Sequence, residues 1–319
     1  MVPAREKIMT LRVAVLVPCY NEEATIEAVV RDFRRVLPAA VIYVYDNNSS
    51  DQTAERARAA GAVVRMEERQ GKGNVVRRMF ADIDADIYVL VDGDDTYDAE
   101  AAPRLIGSAI QTGSDLITAR RIHTDAAAYR PGHLLGNRVL SGLTALLLKV
   151  QLTDMLSGYR VFSRRFVKSF PFTAQGFGIE TELTVHAARL MMPMGELDTR
   201  YKERPIGSVS KLNTWRDGFR ILRTIVHLVR EERPLVFFSC FFLLLALASL
   251  LIGAPVVTEY LRTGLVPRLP TAVLATGMML LAFLALMAGL ILDTVTRGRW
   301  EQKRMAYLAI PGPQDLTPP

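Results

Sequence analysis

The stretch that most constrains the fold of this chain is the run from Ile87 to Tyr97. Its apolar residues 87–91 are followed at once by Asp92-Gly93-Asp94-Asp95. This order predicts a buried parallel strand that ends in a carboxylate-rich loop. Open α/β sheets bind ligands at the carboxyl ends of such strands, and two carboxylates separated by one glycine can face one hard cation. The stretch therefore predicts a metal and diphosphate site, with a solvated acidic turn as the alternative.

Strand and helix signals alternate through the first part of the chain. Short apolar runs predict strands at residues 13–17, 41–45, 63–66, 116–118, 161–163 and 196–201. Helical spacing predicts helices at residues 22–37, from the Asp51 region to residue 60, at 74–81 and at 134–150. Such alternation predicts an α/β layered domain with a mainly parallel sheet.

Polar or glycine-rich motifs follow four successive predicted strands. An aromatic ring and a carboxylate after the first strand can stack on a base and accept its N–H, and Gly71-Lys72-Gly73 allows close approach to phosphate. Each motif alone has an ordinary explanation as a cap, a turn or a surface lysine, but their order indicates a nucleotide-sugar site. The residues assigned to this site are Pro18, Tyr20, Glu22, Asp46, Lys72, Asp92 and Gly93.

The last third of the 319-residue chain is much more apolar than the rest. Residues 235–257 and 269–292 are long enough and free enough of charge to span a membrane, and two buried core helices are the alternative. The connecting loop carries only Arg262 and Arg268 as cations, whereas both outer flanks are richer in Arg and Lys. This distribution predicts a multi-pass protein of the cell (inner) membrane whose ends and catalytic domain are cytoplasmic.

A basic amphipathic segment precedes the first predicted span. In residues 213–233 an apolar stripe is interleaved with arginines, which predicts a helix in the membrane interface, or alternatively a core-packing helix. The net charge of +6 is concentrated beside the apolar segments, and no zinc spacing or recognition module is present. The chain is therefore expected to bind a membrane surface and no nucleic acid. Cys19 and Cys240 lie in such different settings that a reducing compartment is expected.

These patterns predict four regions. Residues 1–212 form the catalytic domain, 213–234 the interfacial helix, 235–296 the two-helix transmembrane region, and 297–319 a basic, proline-rich cytoplasmic tail. The tail is expected to be disordered after Tyr307. Assembly into a homo-oligomer is compatible with so few spans.

Taken together, the motifs resemble those of a known enzyme family. Val17-Pro-Cys-Tyr-Asn-Glu22, the cluster from Asp46 to Thr53, Gly71-Lys-Gly73 and Asp92-Gly-Asp94 stand in the order typical of family-2 glycosyltransferases with the GT-A fold. Asp154-Met-Leu-Ser-Gly-Tyr-Arg160 and Gly207-Ser-Val-Ser-Lys211 resemble segments of polyprenyl-phosphate glycosyltransferases, such as dolichol-phosphate mannose synthase and bacterial glucosyl relatives. The resemblance covers nearly the whole chain and implies a Rossmann-like GT-A domain followed by an interfacial helix and two transmembrane helices.

The resemblance also implies an activity, the inverting transfer of a hexose from a UDP- or GDP-sugar to a polyprenyl phosphate on the cytoplasmic membrane face. Mg²⁺ or Mn²⁺ held by Asp92 and Asp94, with Thr96 as a weaker ligand, would stabilise the departing diphosphate. The acceptor phosphate is already anionic near neutral pH, so the enzyme needs cations more than a general base.

Several residues are candidates for the acceptor side of this site. The cations expected at the acceptor phosphate are Arg120, Arg138, Arg160 and Lys211. Asp154 would orient Arg160 or a sugar hydroxyl. Glu180 and Glu182 would bind the sugar or act as the base for an alcohol acceptor, and their alternative is a charge pair at a helix N-terminus.

Two positions depart from the family pattern. Asn47 stands where the family often has a second aspartate, and Thr96 stands where the metal motif commonly has glutamine. Because of these two changes, the sequence does not identify the nucleotide or the sugar, although the reaction class stays the same. One alternative is a family-2 transferase with a hydroxyl acceptor, a glycolipid or polysaccharide, although the Gln-x-x-Arg-Trp segment of processive synthases is missing. The other is a membrane scaffold with a decayed nucleotide-binding domain.

Overall fold

The computed structural model describes residues 11–123, 153–171, 178–202, 226, 229–231 and 233–315. The chain divides into two units, the first comprising Met1–Gly218 with Lys303–Pro319 and the second Phe219–Gln302. The amphipathic helix predicted at residues 134–150 lies outside the described residues, as does most of the interfacial helix predicted at 213–234.

In the first unit, strands and helices alternate as the sequence predicts. Their order is β1 (Val13–Cys19), α1 (Ile26–Val36), β2 (Val41–Asp46), α2 (Thr53–Ala59), β3 (Val63–Met66), α3 (Lys72–Asp82), β4 (Ile87–Leu90), α4 (Ala102–Thr112), β5 (Leu116–His123), β6 (Arg160–Ser163), α5 (Arg164–Ser169), α6 (Ile179–Arg189) and β7 (Met194–Tyr201). The predicted α/β layered domain is confirmed.

Helix α1 begins at Ile26 and not at residue 22 as predicted. The loop after β2 is responsible, because Thr53 Oγ1 accepts a hydrogen bond from the Glu22 backbone N–H at 2.8 Å and Asp51 accepts one from Glu23 at 3.1 Å. These bonds keep residues 22–25 in a loop beside the strand ends. The aromatic and acidic residues after β1 therefore belong to the edge of the sheet and not to a helix.

Within the described residues the strands form one seven-stranded sheet in the order β3-β2-β1-β4-β6-β5-β7. All neighbouring pairs are parallel except those of β6, which runs antiparallel to β4 and β5. One face of β1 and β4 packs on α1 through fully buried aliphatic residues such as Val15, Val89 and Val30. Because β1, β2 and β4 are parallel, their carboxyl ends share one edge. The residues that precede β6 reach the same edge because β6 runs the other way.

The end of the chain packs against this unit: Gly312 and Pro313 are buried, which differs from the disorder predicted after Tyr307. Tyr307 is 5% exposed and donates a hydrogen bond from Oη to Asp115 Oδ2 at 2.8 Å. Asp115 is fully buried and also accepts two bonds from Arg165, whose guanidinium lies 4.7 Å from the Tyr307 ring centroid. A buried carboxylate needs such partners, so the packing of the last helical turn is specified by charge as well as by shape.

The second unit contains α7 (Pro234–Thr263) and most of α8 (Leu269–Leu308), both long and apolar enough to cross a membrane. Only 6% and 17% of their most apolar stretches are buried, which is unlike the core helices of a soluble protein. Small residues allow α7 and α8 to approach each other: Ser249 Oγ bonds to the Ala275 carbonyl at 2.7 Å, and a Cβ on Gly253 would lie 3.4 Å from Ala275. Both helices extend beyond the predicted spans.

The contact between Tyr307 and Asp115 yields a stability prediction. Tyr307→Phe keeps the aromatic ring and removes one hydrogen bond to a buried carboxylate, which costs about 1–3 kcal/mol of unfolding free energy. For a unit of this size we expect a melting temperature lower by about 2–6 °C in detergent, measured by a thermal unfolding scan. Tyr260→Phe is the matched control, since Tyr260 is 51% exposed. Equal melting temperatures for parent and Tyr307→Phe would contradict the prediction.

Candidate active site

The carboxyl ends of β1, β2 and β4 are joined into one edge by loop contacts. The Asn47 backbone N–H donates to the Cys19 carbonyl at 2.9 Å, and Thr25 Oγ1 donates to the Gly93 carbonyl at 2.6 Å. Gly93 packs so closely on β1 that an added Cβ would lie 2.8 Å from Cys19 Sγ. The motifs that the sequence places at successive strand ends are therefore neighbours in space.

A cluster of opposite charges lies at this edge. The Lys72 ammonium is 2.5 Å from Asp92 Oδ1 and 2.6 Å from Glu180 Oε1, so the first residue of α3 links the end of β4 to the first turn of α6. Burial would lower the pKa of Lys72, but the two carboxylates outweigh it and raise that pKa well above its ordinary value. Burial would raise the pKa of Glu180, and the same ion pair lowers it.

Among the described residues, negative charge exceeds positive charge around Asp92. Burial raises the pKa of the Asp92 carboxyl, and the neighbouring Asp94 and Glu180 raise it further, although Lys72 acts in the opposite direction. Crowded carboxylates of this kind are suited to a hard divalent cation. Across the described ranges, no group of three or more His, Cys, Asp or Glu residues is arranged to hold a metal alone. Mg²⁺ in nucleotide sites is usually held by one or two carboxylates plus substrate phosphates, so Asp92 and Asp94 fit such an ion.

Thr96 supports Asp94. It is fully buried, and its hydroxyl donates to Asp94 Oδ1 at 2.6 Å while its backbone N–H reaches the same oxygen at 3.3 Å. In this structure the Thr96 hydroxyl orients the second carboxylate of the Asp-x-Asp pair. Thr96, which the sequence predicts as a weak metal ligand, therefore contacts the carboxylate of Asp94, a residue expected to bind the metal itself.

Gly158 lies next to Asp92, although the sequence alone did not predict it as a residue of the site. A Cβ at this position would lie 2.3 Å from Asp92 Oδ2, so only a glycine leaves room for the carboxylate. The Gly158 backbone N–H donates to Tyr97 Oη at 2.8 Å, which fixes the loop against the β4 side of the edge. The Ser-Gly-Tyr-Arg motif was the available signal, because a glycine inside a polar motif often marks a close approach.

Arg160 and Asp154, both predicted at the acceptor, are engaged within the fold. Arg160 is fully buried and donates to the carbonyls of Met155 and Ser157 and to Thr184 Oγ1. Burial lowers the pKa of Arg160. Asp154 accepts a bidentate pair of bonds from Arg121 at 2.7 and 2.8 Å. Burial would raise the pKa of Asp154, but Arg121 lowers it below its ordinary value.

The remaining predicted cations and acids have different placements. Arg120 has a 43% exposed side chain on β5 and donates to Asp198 Oδ1 at 2.5 Å. Glu182 pairs with Arg77 in a buried contact between α6 and α3, so it does not join Glu180 at Lys72. Arg138 and Lys211 lie outside the described residues.

The predicted nucleotide side of the edge offers an aromatic ring and a buried acceptor. Tyr20 is 42% exposed at the end of β1, next to the buried Pro18 and Cys19 and two residues before Glu22. Asp46, which pairs with Cys19 in the sheet, is 1% exposed. Its Oδ2 accepts from the Ser49 backbone N–H at 3.1 Å, whereas Oδ1 has no hydrogen-bond partner among the described residues. An unpaired buried carboxylate oxygen suits a ligand N–H or O–H.

Comparisons with known proteins agree with this geometry. The model of the family "Glycosyl transferase family 2" matches residues 14–170. The glycosyltransferase AglJ of Haloferax volcanii is 35% identical over 233 residues, covering 71% of this chain and 75% of that protein. A dolichyl-phosphate hexose transferase of the same organism is 30% identical over 220 residues, covering 69% of this chain and 95% of the relative.

A solved structure shares the fold. Glucosyl-3-phosphoglycerate synthase from Mycobacterium tuberculosis, in complex with Mn²⁺, UDP and phosphoglyceric acid, superposes with a TM-score of 0.58 at 24% identity, covering 71% of this chain and 80% of that chain. At this identity the likeness concerns the fold alone. The predicted family is confirmed by the relatives and the predicted fold by this structure: the chain is a glycosyltransferase of family 2 with the GT-A fold.

Proposed function

We propose that this enzyme transfers a hexose from a nucleoside-diphosphate sugar to a polyprenyl phosphate, with inversion at the anomeric carbon. The observation that carries the proposal is the cluster of Asp92, Asp94, Lys72 and Glu180 at the carboxyl edge of the sheet. It combines an acidic pair suited to a divalent cation with an ammonium suited to phosphate. In this reaction negative charge builds up on the departing nucleoside diphosphate, and the cluster offers groups that would stabilise that charge.

The donor nucleotide occupies the β1–β2 side of the edge. Tyr20 stacks on the base, and Asp46 Oδ1 accepts a hydrogen bond from the base or the ribose, which satisfies its unpaired buried oxygen. Lys72 contacts the diphosphate while its link to Glu180 holds the ammonium at the end of β4. Asp92 and Asp94 would hold Mg²⁺ or Mn²⁺, which would neutralise charge on the departing diphosphate. Glucosyl-3-phosphoglycerate synthase, which has the same fold, was solved with Mn²⁺ and UDP, and this supports a nucleotide and a divalent cation as ligands of the fold.

Three observations support a polyprenyl phosphate as the acceptor. The relative from Haloferax volcanii is named a dolichyl-phosphate hexose transferase and matches over 95% of its length. Helices α7 and α8 are long and apolar enough to place the enzyme in a membrane, for which we propose the cytoplasmic side of the cell membrane. Glu180, the nearest candidate base, is paired with Lys72 and has a lowered pKa, which weakens it as a base for an alcohol.

The acceptor phosphate needs cations that the fold has not already used. Arg160 and Arg121 are committed to contacts within the fold, the first to backbone carbonyls and the second to Asp154. Arg120 has the exposure to reach a ligand, and its surface pair with Asp198 is weak enough to exchange. Arg120 is therefore the acceptor-side cation we propose within the described residues, with Arg138 and Lys211 as sequence-based candidates. Arg160 holds the loop before β6 in place through the carbonyls of Met155 and Ser157 and does not contact the acceptor.

The primary test measures transfer of radiolabelled sugar from a panel of UDP- and GDP-sugars to polyprenyl phosphate, using the full chain in detergent with Mg²⁺ or Mn²⁺. We expect one donor to label the lipid. Asp94→Asn keeps the acceptor oxygen for Thr96 but removes the charge, and should lower the rate about 100-fold or more. Asp95→Asn is the matched control, because Asp95 pairs with Lys202 at 3.2 Å and its left-handed backbone tolerates Asn.

Labelling of an alcohol acceptor but not of polyprenyl phosphate would replace the proposed acceptor with a hydroxyl group. Equal rates for Asp94→Asn and the parent would refute the role of the acidic pair. Labelling in the absence of any divalent cation, in EDTA, would refute the proposed metal.

The contact between Gly158 and Asp92 yields a second activity prediction. In Gly158→Ala the new methyl group displaces the Asp92 carboxylate, and a displacement near 1 Å at a reacting site can cost about 100-fold in rate. We expect the metal concentration for half-maximal activity to rise together with this loss, while the melting temperature changes little. Gly277→Ala is the control, since nothing lies within 4 Å of its added Cβ. Unchanged metal dependence in Gly158→Ala would refute the positioning of Asp92 by this glycine.

A further inference from the structure

Asn47, one of the two departures from the family pattern, is almost fully buried and has every hydrogen-bonding group of its side chain engaged. It is 3% exposed. Its Nδ2 donates to the Glu67 carbonyl at 2.7 Å and the Arg69 carbonyl at 2.9 Å, and its Oδ1 accepts from the Gly71 backbone N–H at 2.6 Å. One side chain after β2 thus binds three backbone groups of the segment after β3.

This arrangement requires an amide. The two backbone carbonyls need hydrogen-bond donors, and the backbone N–H of Gly71 needs an acceptor. A side-chain amide provides both, because its NH₂ group donates twice and its oxygen accepts. An aspartate at position 47 would place a second acceptor oxygen against the carbonyls of Glu67 and Arg69 and leave both unpaired in a buried setting. The replacement of the family's aspartate is therefore explained by a structural contact that a carboxylate cannot make.

The segment fixed by Asn47 leads directly into Lys72. Gly71 has φ of +124°, a conformation that favours glycine, and precedes the first residue of α3. The other end of the segment is held by the Glu67 backbone N–H, which donates to the Asp46 carbonyl at 2.9 Å. With both ends pinned to the end of β2, the position of the Lys72 backbone is defined relative to β4, and its ammonium reaches Asp92 and Glu180.

We propose that Asn47 is a positioning residue which sets the place of Lys72 at the donor diphosphate by holding the segment of residues 67–71. This inference rests on the proposed function for the role of Lys72, and goes beyond it by giving Asn47 an indirect part in donor binding. In this enzyme position 47 acts through the lysine and not by contact with base or ribose.

The first test is independent of any ligand. Amide hydrogen exchange of peptides covering residues 67–74 is compared in the full-length parent, Asn47→Asp and Asn48→Asp. Asn48 is the matched control: its Nδ2 also donates to this segment, at 2.8 Å to the Glu68 carbonyl, but the residue is exposed and water can take over that bond. We expect exchange to rise about tenfold or more in Asn47→Asp and to change little in Asn48→Asp. Unchanged exchange in Asn47→Asp would overturn the proposal.

The second test asks whether Asn47 acts through Lys72. Dissociation constants of UDP and of GDP, each with Mn²⁺, are measured for the parent, Asn47→Asp, Lys72→Met and the double variant. We expect Asn47→Asp to weaken binding of the preferred nucleotide about tenfold or more in the parent background and less than about twofold when Lys72 is already absent. Equal weakening in both backgrounds would mean that Asn47 acts independently of Lys72, which overturns the proposal.

The two tests separate this inference from the proposed function. If the parent binds neither nucleotide, the proposed function fails, while the exchange measurement still decides whether Asn47 holds the segment. If the parent binds a nucleotide and the two substitutions act additively, the function stands and the positioning role is refuted. Weaker nucleotide binding in Asn47→Asp that disappears in the Lys72→Met background would separate positioning from a general loss of stability, since a general loss would weaken binding in both backgrounds.

Discussion

The active edge of this enzyme depends on one ion-pair arrangement, the Lys72 ammonium between Asp92 and Glu180. The three residues come from the start of α3, the end of β4 and the first turn of α6, so the contact joins parts of the chain that are far apart in sequence. The three side chains are 17–32% exposed, so they are only partly screened by solvent, and removing one partner leaves the other charges uncompensated. The elements that carry these residues must therefore be held in register by the rest of the unit.

The residues that surround this ion pair account for the glycine and the arginine in the motif at residues 154–160. Strand β6 runs antiparallel to β4, so the residues before it arrive at the carboxyl edge, where Gly158 leaves room for Asp92. Arg160 then ties this loop to α6 through the Ser157 carbonyl and Thr184, one turn after Glu180. A buried arginine with paired donors gives a rigid connection. Two residues of the signature Asp154–Arg160 thus lie next to the cluster, Gly158 at Asp92 and Arg160 at the helix that carries Glu180.

The sequence was sufficient to predict the features that depend on local pattern. Strand–helix alternation, the parallel sheet and the approach of Lys72 to the Asp92 loop follow from apolar runs and from polar residues at strand ends. The ion-pair partner of each charged side chain could not be predicted from local pattern. Arg120 and Arg121 are adjacent in sequence, yet one pairs with Asp198 at the surface and the other with Asp154. Periodicity does not identify which distant residue meets a given charge, so the ordered end of the chain at Tyr307 was also missed.

Under the proposed function, the charge balance among the described residues at the edge favours joint binding of donor and cation. Among the described residues the acidic groups around Asp92 outnumber the ammonium of Lys72. Burial raises the Asp92 pKa, and the neighbouring Asp94 and Glu180 raise it further. A diphosphate alone would add negative charge to a region that already has too much, and one lysine shared by two carboxylates cannot offset it. A divalent cation held by Asp92 and Asp94 would supply the positive charge that makes binding of a diphosphate favourable there. The Lys72 ammonium, which is paired with Asp92 and Glu180 in this structure, would then be able to contact the diphosphate as well.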